Sequence, residues 1–216
     1  RAALGIIRLI LENRLRFSLR SLFSVSSDLY EIKTDGVPDD LMVFIAERLK
    51  VYLREEGVLH SHIEAIFSLS AEDDLLRLLE RVKALSEFLK SEDGSNLLVA
   101  YRRAANIVRQ EEKKDKKNFS GESYDPNLSV DSEGELEAEL WRAMIATKSK
   151  VNELIKSERF VEAMTSLALL RKPIDDFFEN VIVNVADLDI RNNRLCLCTQ
   201  IQQVMDNVAD FSKIEG

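Results

Sequence analysis

The sequence predicts an all-α protein that folds as a helical bundle. Only 3 Pro and 7 Gly occur among its 216 residues, so few positions interrupt a helix. Apolar residues make up 45% of the chain and charged residues 31%, a balance typical of globular proteins rather than disordered or membrane ones. β-Branched runs bounded by turn residues, the usual sign of strands, are scarce. Long helices packed on one another are therefore the expected architecture.

The first half of the chain contains three predicted helices after a basic segment. Residues 1–20 hold five Arg and a single acid, Glu12, so the polar side of this segment is basic. A turn at Gly36 comes first, and apolar residues then recur at helical spacing until Gly57. Ser70 resembles the first residue of a capping box that opens another helix. The three helices are predicted over 39–56, over 60–69, and from the capping box at 70–73 to a break at 91–94.

The second half is predicted to contain four helices and one long loop. The loop covers 113–131, where Lys, Ser and Asn are frequent and Gly121 and Pro126 interrupt any periodic apolar pattern. A loop of this length inside a compact domain is usually functional or disordered, and we expect it to be flexible with little to bury. Ser132 and Glu135 form a second capping-box pair. The helices are predicted over 96–112, 132–157, 158–171 and 188–211.

Bulk properties limit the compartment and the class of partner. Cys196 and Cys198 are the only cysteines, which favours a reducing, cytoplasmic environment over a disulfide framework. The net charge of −8 argues against indiscriminate nucleic-acid binding, but it permits specific RNA binding through a local basic surface. The opening segment is too short and too charged to span a bilayer, so no membrane partner is expected. We interpret its start, in the middle of an apolar helix, as the cut edge of a larger protein.

The residue types that usually carry catalysis are not arranged for it. His60 and His62 are two residues apart and point to nearly opposite sides of a helix, so we expect them at the solvated surface rather than on a metal. Cys196 and Cys198 meet the same objection, and we expect one of them in the core. No glycine-rich phosphate loop or nucleophile elbow occurs in the sequence. A Glu-rich stretch, interpreted as a helix N-terminus favoured by the macrodipole, comprises Glu133, Glu135, Glu137 and Glu139. We therefore expect no catalytic residue and no metal ligand in this chain.

One predicted helix carries a basic face. In the helix over 96–112, Arg102, Asn106 and Arg109 share a face, and Arg103 flanks it. Through the Lys-rich turn that follows, basic residues exceed acidic ones by four. Such a face can contact phosphates through its cations and base edges through Asn or Arg side chains. The alternative is an ordinary solvated helix face, and the pattern alone leaves both interpretations open.

Five segments of the sequence resemble blocks of the bacterial glycyl-tRNA synthetase β subunit family. In chain order they read FIAERLKVYLREEG at 44–57, RVKAL at 81–85, YRRAANI at 101–107, FFENVIVNV at 177–185 and DLDIRNNRL at 187–195. The last segment is similar to the D-x-A-L-R-x-N-R-L signature that gives the DALR anticodon-binding domains their name, with Asp189 and Ile190 in place of Ala and Leu. In the third segment, Arg102 stands where the family usually has Lys. The resemblance runs along the whole chain in the family's order.

The resemblance implies a helical bundle of the DALR anticodon-binding type over 27–216, preceded over 1–26 by the last helices of an HD-like domain. It implies binding to the anticodon arm of glycine tRNA, with that tRNA, the synthetase α subunit and the remainder of the β subunit as partners, and no DNA. ATP use and glycine attachment would belong to the α subunit, so this chain would be a non-catalytic fragment of a ligase, without a cofactor of its own. The RNA-binding residues expected are Arg102, Arg103, Asn106, Arg109 and Arg191.

The two arginines of the last segment are predicted to differ in role. Arg194 shares its side of the helix with Leu197 and Ile201, so it is expected to point towards the core. A buried Arg usually pairs with a carboxylate, and the candidates are Asp175, Asp176 and Asp187. For Arg191, a structural role and RNA contact both remain open.

Two other functions compete with RNA binding. The bundle can serve as a scaffold that joins the synthetase subunits without touching RNA. An enzyme of the HD phosphohydrolase type is suggested by the neighbouring domain alone, and the lack of a His-Asp dyad with further ligands nearly excludes it.

Overall fold

A computed structural model describes residues 1–29, 36–69, 72–128 and 132–214. All regular structure in these ranges is helical, so the predicted all-α fold class is confirmed. None of the helices in the described ranges combines the length and apolar character needed to cross a bilayer. The chain forms two compact units, one comprising residues 1–86 with the chain end from Lys213, the other residues 87–212. The predicted domain boundary between residues 26 and 27 stays a prediction.

The first unit is built from amphipathic helices that pack around the third one. Helix α3 packs against α1, α2 and α4, and it buries Met42, Ile45, Leu49 and Leu53 on one face. The helices of this unit are α1 (Ala2–Glu12), α2 (Leu19–Asp28), α3 (Val37–Glu55), α4 (His60–Phe67) and the greater part of α5 (Leu75–Lys90).

Two glycines set the ends of α3. Gly36 is left-handed with φ +82° at the N-cap, and Gly57 follows the C-cap with φ +86°. Residues other than glycine rarely adopt this backbone conformation. The predicted stop at Gly57 is confirmed. Ser70 and Ala71 lie outside the described residues, so the first capping box stays a prediction.

The polar residues of the first unit form more ion pairs and hydrogen bonds within the protein than the sequence suggests. Arg14 pairs with Glu80 at 2.7 Å and Arg16 with Asp74 at 2.6 Å, so part of the basic N-terminal face is used within the protein. The expectation that both histidines are solvated is wrong for His62. It lies on the buried face of α4, and its Nδ1 is 3.0 Å from Ser86 Oγ.

The second unit is organised around a central helix. Helix α10 packs against both α6 and α7, and its buried residues occupy most of its circumference, including the four polar side chains Arg191, Asn193, Arg194 and Thr199. Helix α9 packs against α6 and α7 in turn. The helices of this unit are α6 (Glu92–Asp115), α7 (Ser132–Lys156), α8 (Phe160–Leu167), α9 (Arg171–Asn180) and α10 (Leu188–Asp206), with short 3₁₀ turns at Pro126–Leu128 and Ala168–Leu170.

Helix α6 is longer than predicted at both ends. The expected break at 91–94 reduces to one residue, because the Ser91 side chain caps the helix by accepting from the Gly94 N–H at 3.1 Å. A Cβ on Gly94 would lie 2.0 Å from the Phe88 carbonyl oxygen, so this close approach requires glycine. At the other end the helix continues to Asp115, and the left-handed Lys116 closes it.

The other helix boundaries also differ from the sequence predictions. Left-handed Glu158 separates α7 from α8, so the predicted helix over 158–171 begins later and divides at a 3₁₀ turn. Pro173 sits in the first turn of α9, where its missing N–H removes no helical hydrogen bond. Helix α10 ends at Asp206, before the predicted end at 211.

The long loop is anchored where it was expected to bury little. Phe119 is fully buried and Tyr124 almost so, and the Tyr124 ring packs against Trp141 of α7 with centroids 5.4 Å apart. Glu112 also accepts from the Phe119 N–H at 2.9 Å. These aromatic anchors give no periodic signal in the sequence because the segment around them is not helical. The predicted flexibility of 113–131 stays a prediction.

Candidate nucleic-acid interface

Helix α6 presents a row of basic and amide side chains, which we call the basic stripe: Arg102, Asn106, Arg109 and Lys113. Their spacing of four, three and four residues keeps them on one face of the helix. Arg102 is half-buried and the other three are exposed; Arg109 Nη2 donates to Asn106 Oδ1 at 2.7 Å. The stripe spans about 16 Å, comparable with the rise of roughly five phosphates along one duplex strand.

Lys113 is the stripe residue that the sequence prediction missed. It was assigned to the loop, yet the helix runs on to Asp115 and brings Lys113 into register with Arg109. The helix macrodipole favours lysines in the last turn of a helix, so the Lys-rich run at 113–117 could have indicated that the helix continues to include Lys113. Lys114 points elsewhere and pairs with Glu111 at 3.4 Å, while Lys117 pairs with Glu122 at 2.6 Å.

Arg103 lies about a quarter-turn from the basic stripe and faces a different feature. Its guanidinium carbon lies 4.5 Å from the centroid of the Phe178 ring in α9, and its Nη2 donates to the Phe178 carbonyl at 3.1 Å. Arg103 is exposed, whereas Phe178 is 7% exposed. The five predicted RNA-binding residues therefore do not form a single patch.

Arg103 lines an open cleft of about 610 Å³, which we call the α6–α9 cleft. Helix α6 contributes one wall, and the end of α9 with the extended segment after it contributes another. The lining includes both polar and apolar side chains. Its lining comprises Arg103, Ile107, Gln110, Glu111, Glu133 and residues 178–184.

Arg191 is buried among acceptors. Its side chain is 6% exposed; it pairs with Glu111, lies 2.6 Å from Asp115, and donates from Nε to Asn184 Oδ1 at 2.9 Å. The hydrogen bond to Glu111, followed by that to Asp115, raises the pKa of Arg191. The bond between Arg191 and Glu111 also holds the pKa of Glu111 below its usual value. The Arg191 guanidinium therefore links α10 to the C-terminal end of α6.

Arg194 is buried, as predicted, but its partners are different from those expected. Its side chain is 3% exposed and contacts Glu137 at 2.6 Å, Glu133 at 2.7 Å and the Ile182 carbonyl at 2.8 Å. Burial opposes the charge of Arg194, yet hydrogen bonds to both carboxylates leave its pKa raised.

The expectation of Asp175, Asp176 or Asp187 as the partner of Arg194 is wrong. Glu133 and Glu137 are four residues apart, so they share the face of α7 that meets α10. The Glu-rich start of α7 therefore supplies ion-pair partners as well as favourable charge at a helix N-terminus.

The other polar residues of the DLDIRNNRL segment also make internal contacts. Asp187 caps α10 by accepting from the N–H groups of Asp189 and Ile190 at 3.0 and 3.2 Å. Asn193 pairs with the backbone of Asp125 through two hydrogen bonds of 2.7 and 2.9 Å, which ties the long loop to α10. The segment thus joins α6, α7 and the loop to one helix.

The cysteines offer no reactive group. Both are buried and free, so the expectation of only one in the core is wrong. Burial raises the pKa of Cys196 to about 11 and that of Cys198 to about 12, which keeps both thiols protonated near neutral pH. Within the described ranges, no group of three or more His, Cys, Asp or Glu side chains could hold a metal ion.

Comparison with known families separates the two ends of the chain. The family model of the DALR anticodon binding domain matches residues 97–215, which contain the basic stripe, the α6–α9 cleft and the buried arginines. The family model of the glycyl-tRNA synthetase beta subunit matches residues 1–68.

Curated relatives match along the whole chain. The glycine–tRNA ligase beta subunit of Rhodospirillum centenum is 49% identical over 217 residues, that of a Ruegeria species 43% and that of Phenylobacterium zucineum 42%. In each case all of this chain is covered, and it spans about 30% of the relative's length. The chain belongs to the DALR anticodon binding domain family, and its resemblance to the glycyl-tRNA synthetase β subunit is confirmed.

Proposed function

We propose that this chain binds the anticodon arm of glycine tRNA as part of a glycyl-tRNA synthetase β subunit. The observation that carries the proposal is the basic stripe on α6, which lies within the match to the DALR anticodon binding domain. A net charge of −8 limits non-specific attraction to nucleic acid, so binding depends on this local row of cations.

The stripe and the α6–α9 cleft have separate tasks in this proposal. Arg102, Arg109 and Lys113 contact phosphates, which set the position of the RNA without reading its sequence. In this proposal the exposed side chains of Asn106 and Arg103 contact bases of the loop. Glycine codons begin with two guanines, so the anticodon ends in two cytosines, and an RNA loop can present these unpaired to protein side chains.

The chemistry of the ligase lies elsewhere in this proposal. The α subunit uses ATP and attaches glycine, and this chain alone has no activity and no cofactor. Its partners are glycine tRNA, the α subunit and the remainder of the β subunit in the cytoplasm, with no DNA or membrane. The contribution to rate is indirect, because anchoring the anticodon arm orients the acceptor end at the distant active site.

Arg191 is assigned a structural role rather than the RNA contact expected from the sequence. An RNA phosphate would have to displace Glu111 and Asp115 from a side chain that is 6% exposed. Such a displacement would separate both carboxylates from the buried Arg191 cation, and Glu111 would keep its longer pair with Lys114. The RNA-binding set is therefore Arg102, Arg103, Asn106, Arg109 and Lys113.

A titration with glycine tRNA tests the proposal. We expect salt-sensitive binding with a log–log slope of roughly −2 to −5, as for three to five phosphate contacts. The double variant Arg109→Gln/Lys113→Gln is expected to reduce the slope by about 2. Its matched control is Arg142→Gln/Lys148→Gln, which removes two exposed charges from α7. Equal losses for both pairs would show that net charge alone attracts the RNA.

A subunit scaffold is the second candidate function. Exposed apolar side chains on α1 and α3 favour it, among them Leu9, Val43 and Phe44. The scaffold without RNA contact predicts co-purification with the α subunit and no binding of glycine tRNA at low salt. A salt-dependent tRNA titration distinguishes it from the anticodon-arm proposal.

A further inference from the structure

The α6–α9 cleft contains a planar, charged surface that is fixed in place. The Arg103 guanidinium lies over the Phe178 ring, with its central carbon 4.5 Å from the ring centroid, and the hydrogen bond to the Phe178 carbonyl restrains its orientation. Phe178 is buried and Arg103 is exposed, so the second face of the guanidinium is turned away from the core. A guanidinium plane of this kind stacks favourably on a nucleobase, and little freedom is lost because it is already oriented.

The charge inside the cleft is uneven. Three carboxylates line it, and two of them, Glu111 and Glu133, are neutralised by Arg191 and Arg194. Glu179 is exposed and, within the described part of the chain, forms no ion pair at hydrogen-bonding distance. It is therefore the carboxylate of the cleft lining that remains available to a ligand.

Amide groups complete the lining. Gln110 is exposed on α6 and offers both a donor and an acceptor. Asn180 uses its Nδ2 to donate to the Asp176 carbonyl at 2.9 Å, which directs its Oδ1 away from that bond. The cleft volume of about 610 Å³ lies within the range of small-ligand sites.

We propose that the α6–α9 cleft holds one unpaired base of an RNA loop, stacked on Arg103, and that Glu179 selects a base with an exocyclic amino group, cytosine over uracil. The cytosine N4 amino group donates to a carboxylate, whereas uracil places the O4 acceptor there and is repelled. This assignment rests on the proposed function, since it names the base-reading part of the same RNA surface. The basic stripe then follows the backbone on either side of the seated base.

Two stem-loop RNAs test the selection. They share one stem and carry an all-cytosine or an all-uracil loop. The unaltered protein is expected to prefer the cytosine loop by about tenfold or more. Glu179→Gln is expected to reduce that preference to about threefold or less, because an amide can accept from cytosine or donate to uracil. Glu139→Gln, an exposed carboxylate on α7 outside the cleft lining, is the control and is expected to keep the preference.

The stacking role is tested by keeping the charge and removing the plane. Arg103→Lys is expected to weaken binding of the cytosine loop about tenfold with an unchanged salt slope. Arg142→Lys on α7 is the control and is expected to bind like the unaltered protein. Thermal unfolding of Arg103→Lys is measured alongside, so that a loss of folding is recognised.

The outcomes separate this inference from the proposed function. Salt-sensitive binding without preference between the two loops overturns the cleft assignment and leaves anticodon-arm binding in place. Full affinity of Arg103→Lys for the cytosine loop likewise overturns the stacking role. Absence of binding to either loop, together with absence of binding to glycine tRNA, overturns both.

Discussion

The arginines of α6 and those of α10 have the same chemistry and opposite environments. On α6, Arg109 is exposed and donates a hydrogen bond to Asn106, one turn away. On α10, Arg191 and Arg194 are almost fully buried and each joins two carboxylates from another helix. The first kind contributes little to folding, because an exposed cation is well solvated in either state. Removing an arginine of the second kind takes a cation away from the carboxylates at a helix contact, of which Glu137 is buried.

This difference teaches that a sequence signature need not mark a binding site. In the DLDIRNNRL segment, Asp187 caps α10, Arg191 holds α6, Asn193 holds the loop and Arg194 holds α7. The RNA surface that we propose lies on α6, which these contacts join to α10. In this proposal the signature holds the interface in position instead of forming it.

The largest effect is expected for Arg194→Ala. It removes the cation between Glu133 and Glu137, and Glu137 is buried. Breaking such a pair destabilises a fold by about 3 kcal/mol. Urea unfolding followed by circular dichroism measures the loss. Arg142→Ala, an exposed arginine of α7, is the control, and equal stability of the two variants would refute the structural role.

A smaller loss is expected for Arg191→Ala. Its partners Glu111 and Asp115 are closer to solvent than Glu137, so water can replace part of the lost interaction. We expect a decrease of about 2 kcal/mol in the free energy of unfolding. Measuring Arg191→Ala and Arg194→Ala in the same urea series shows which variant loses more stability. A larger loss for Arg191→Ala would show that depth of burial does not control the effect.

The exposed side of the comparison is tested by Arg109→Ala. We expect glycine tRNA binding to weaken by about 1 kcal/mol and the salt slope to fall by about one, with unfolding nearly unchanged. Filter binding across a salt series and a thermal melt give the two values. Binding equal to that of the unaltered protein would show that the basic stripe is only a solvated helix face.

The far end of α10 provides a half-buried acid, Asp206, which accepts hydrogen bonds from two neutral donors. Asp206 accepts from the Phe211 N–H at 3.3 Å and the Tyr101 hydroxyl at 3.5 Å. Burial raises the pKa of Asp206 to about 6, and the charge of Asp210 adds to the shift. The folded-state pKa of Asp206 lies above the unfolded value, so the protonated acid stabilises the folded protein. This contribution to stability is complete below about pH 4 and is lost as pH rises through about 6.

The expected consequence is that Asp206→Asn stabilises the protein near pH 7 and has little effect near pH 4. We expect a gain of about 1 kcal/mol at pH 7, since the partly solvated carboxylate reduces the full value of the shift. Melting curves of both proteins between pH 4 and 8 measure it. Asp189→Asn, an exposed carboxylate on the same helix, is the control. A stability difference that does not change with pH would contradict the assignment.

Much of the fold followed from apolar periodicity and turn residues. The stop of α3 at Gly57 was predicted correctly, because a left-handed glycine after a helix leaves a local signal, and α7 begins at Ser132, where the sequence predicted a helix. The start of α6 at Glu92 was not predicted, because Gly94 was interpreted as part of a helix break. In the structure Ser91 caps the helix, and Gly94 allows the close approach to the Phe88 carbonyl.

The candidate site was predictable in part. The shared face of Arg102, Asn106 and Arg109 follows from helical spacing alone. The pairing of Arg103 with Phe178 does not, because 75 residues separate them in sequence. The environment of Arg191 was left open for the same reason, since Glu111 and Asp115 of the distant helix α6 reach it only through packing.

The most direct test of the contrast is a paired measurement on Arg109→Ala and Arg194→Ala. For each variant, the free energy of unfolding and the affinity for glycine tRNA are measured in one buffer, at a temperature where both proteins are folded. The predicted result is a crossed pattern: Arg109→Ala loses RNA affinity and keeps its stability, while Arg194→Ala loses stability and keeps its affinity. Normal stability with lost affinity in Arg194→Ala would place the buried arginine in the RNA site and contradict this account.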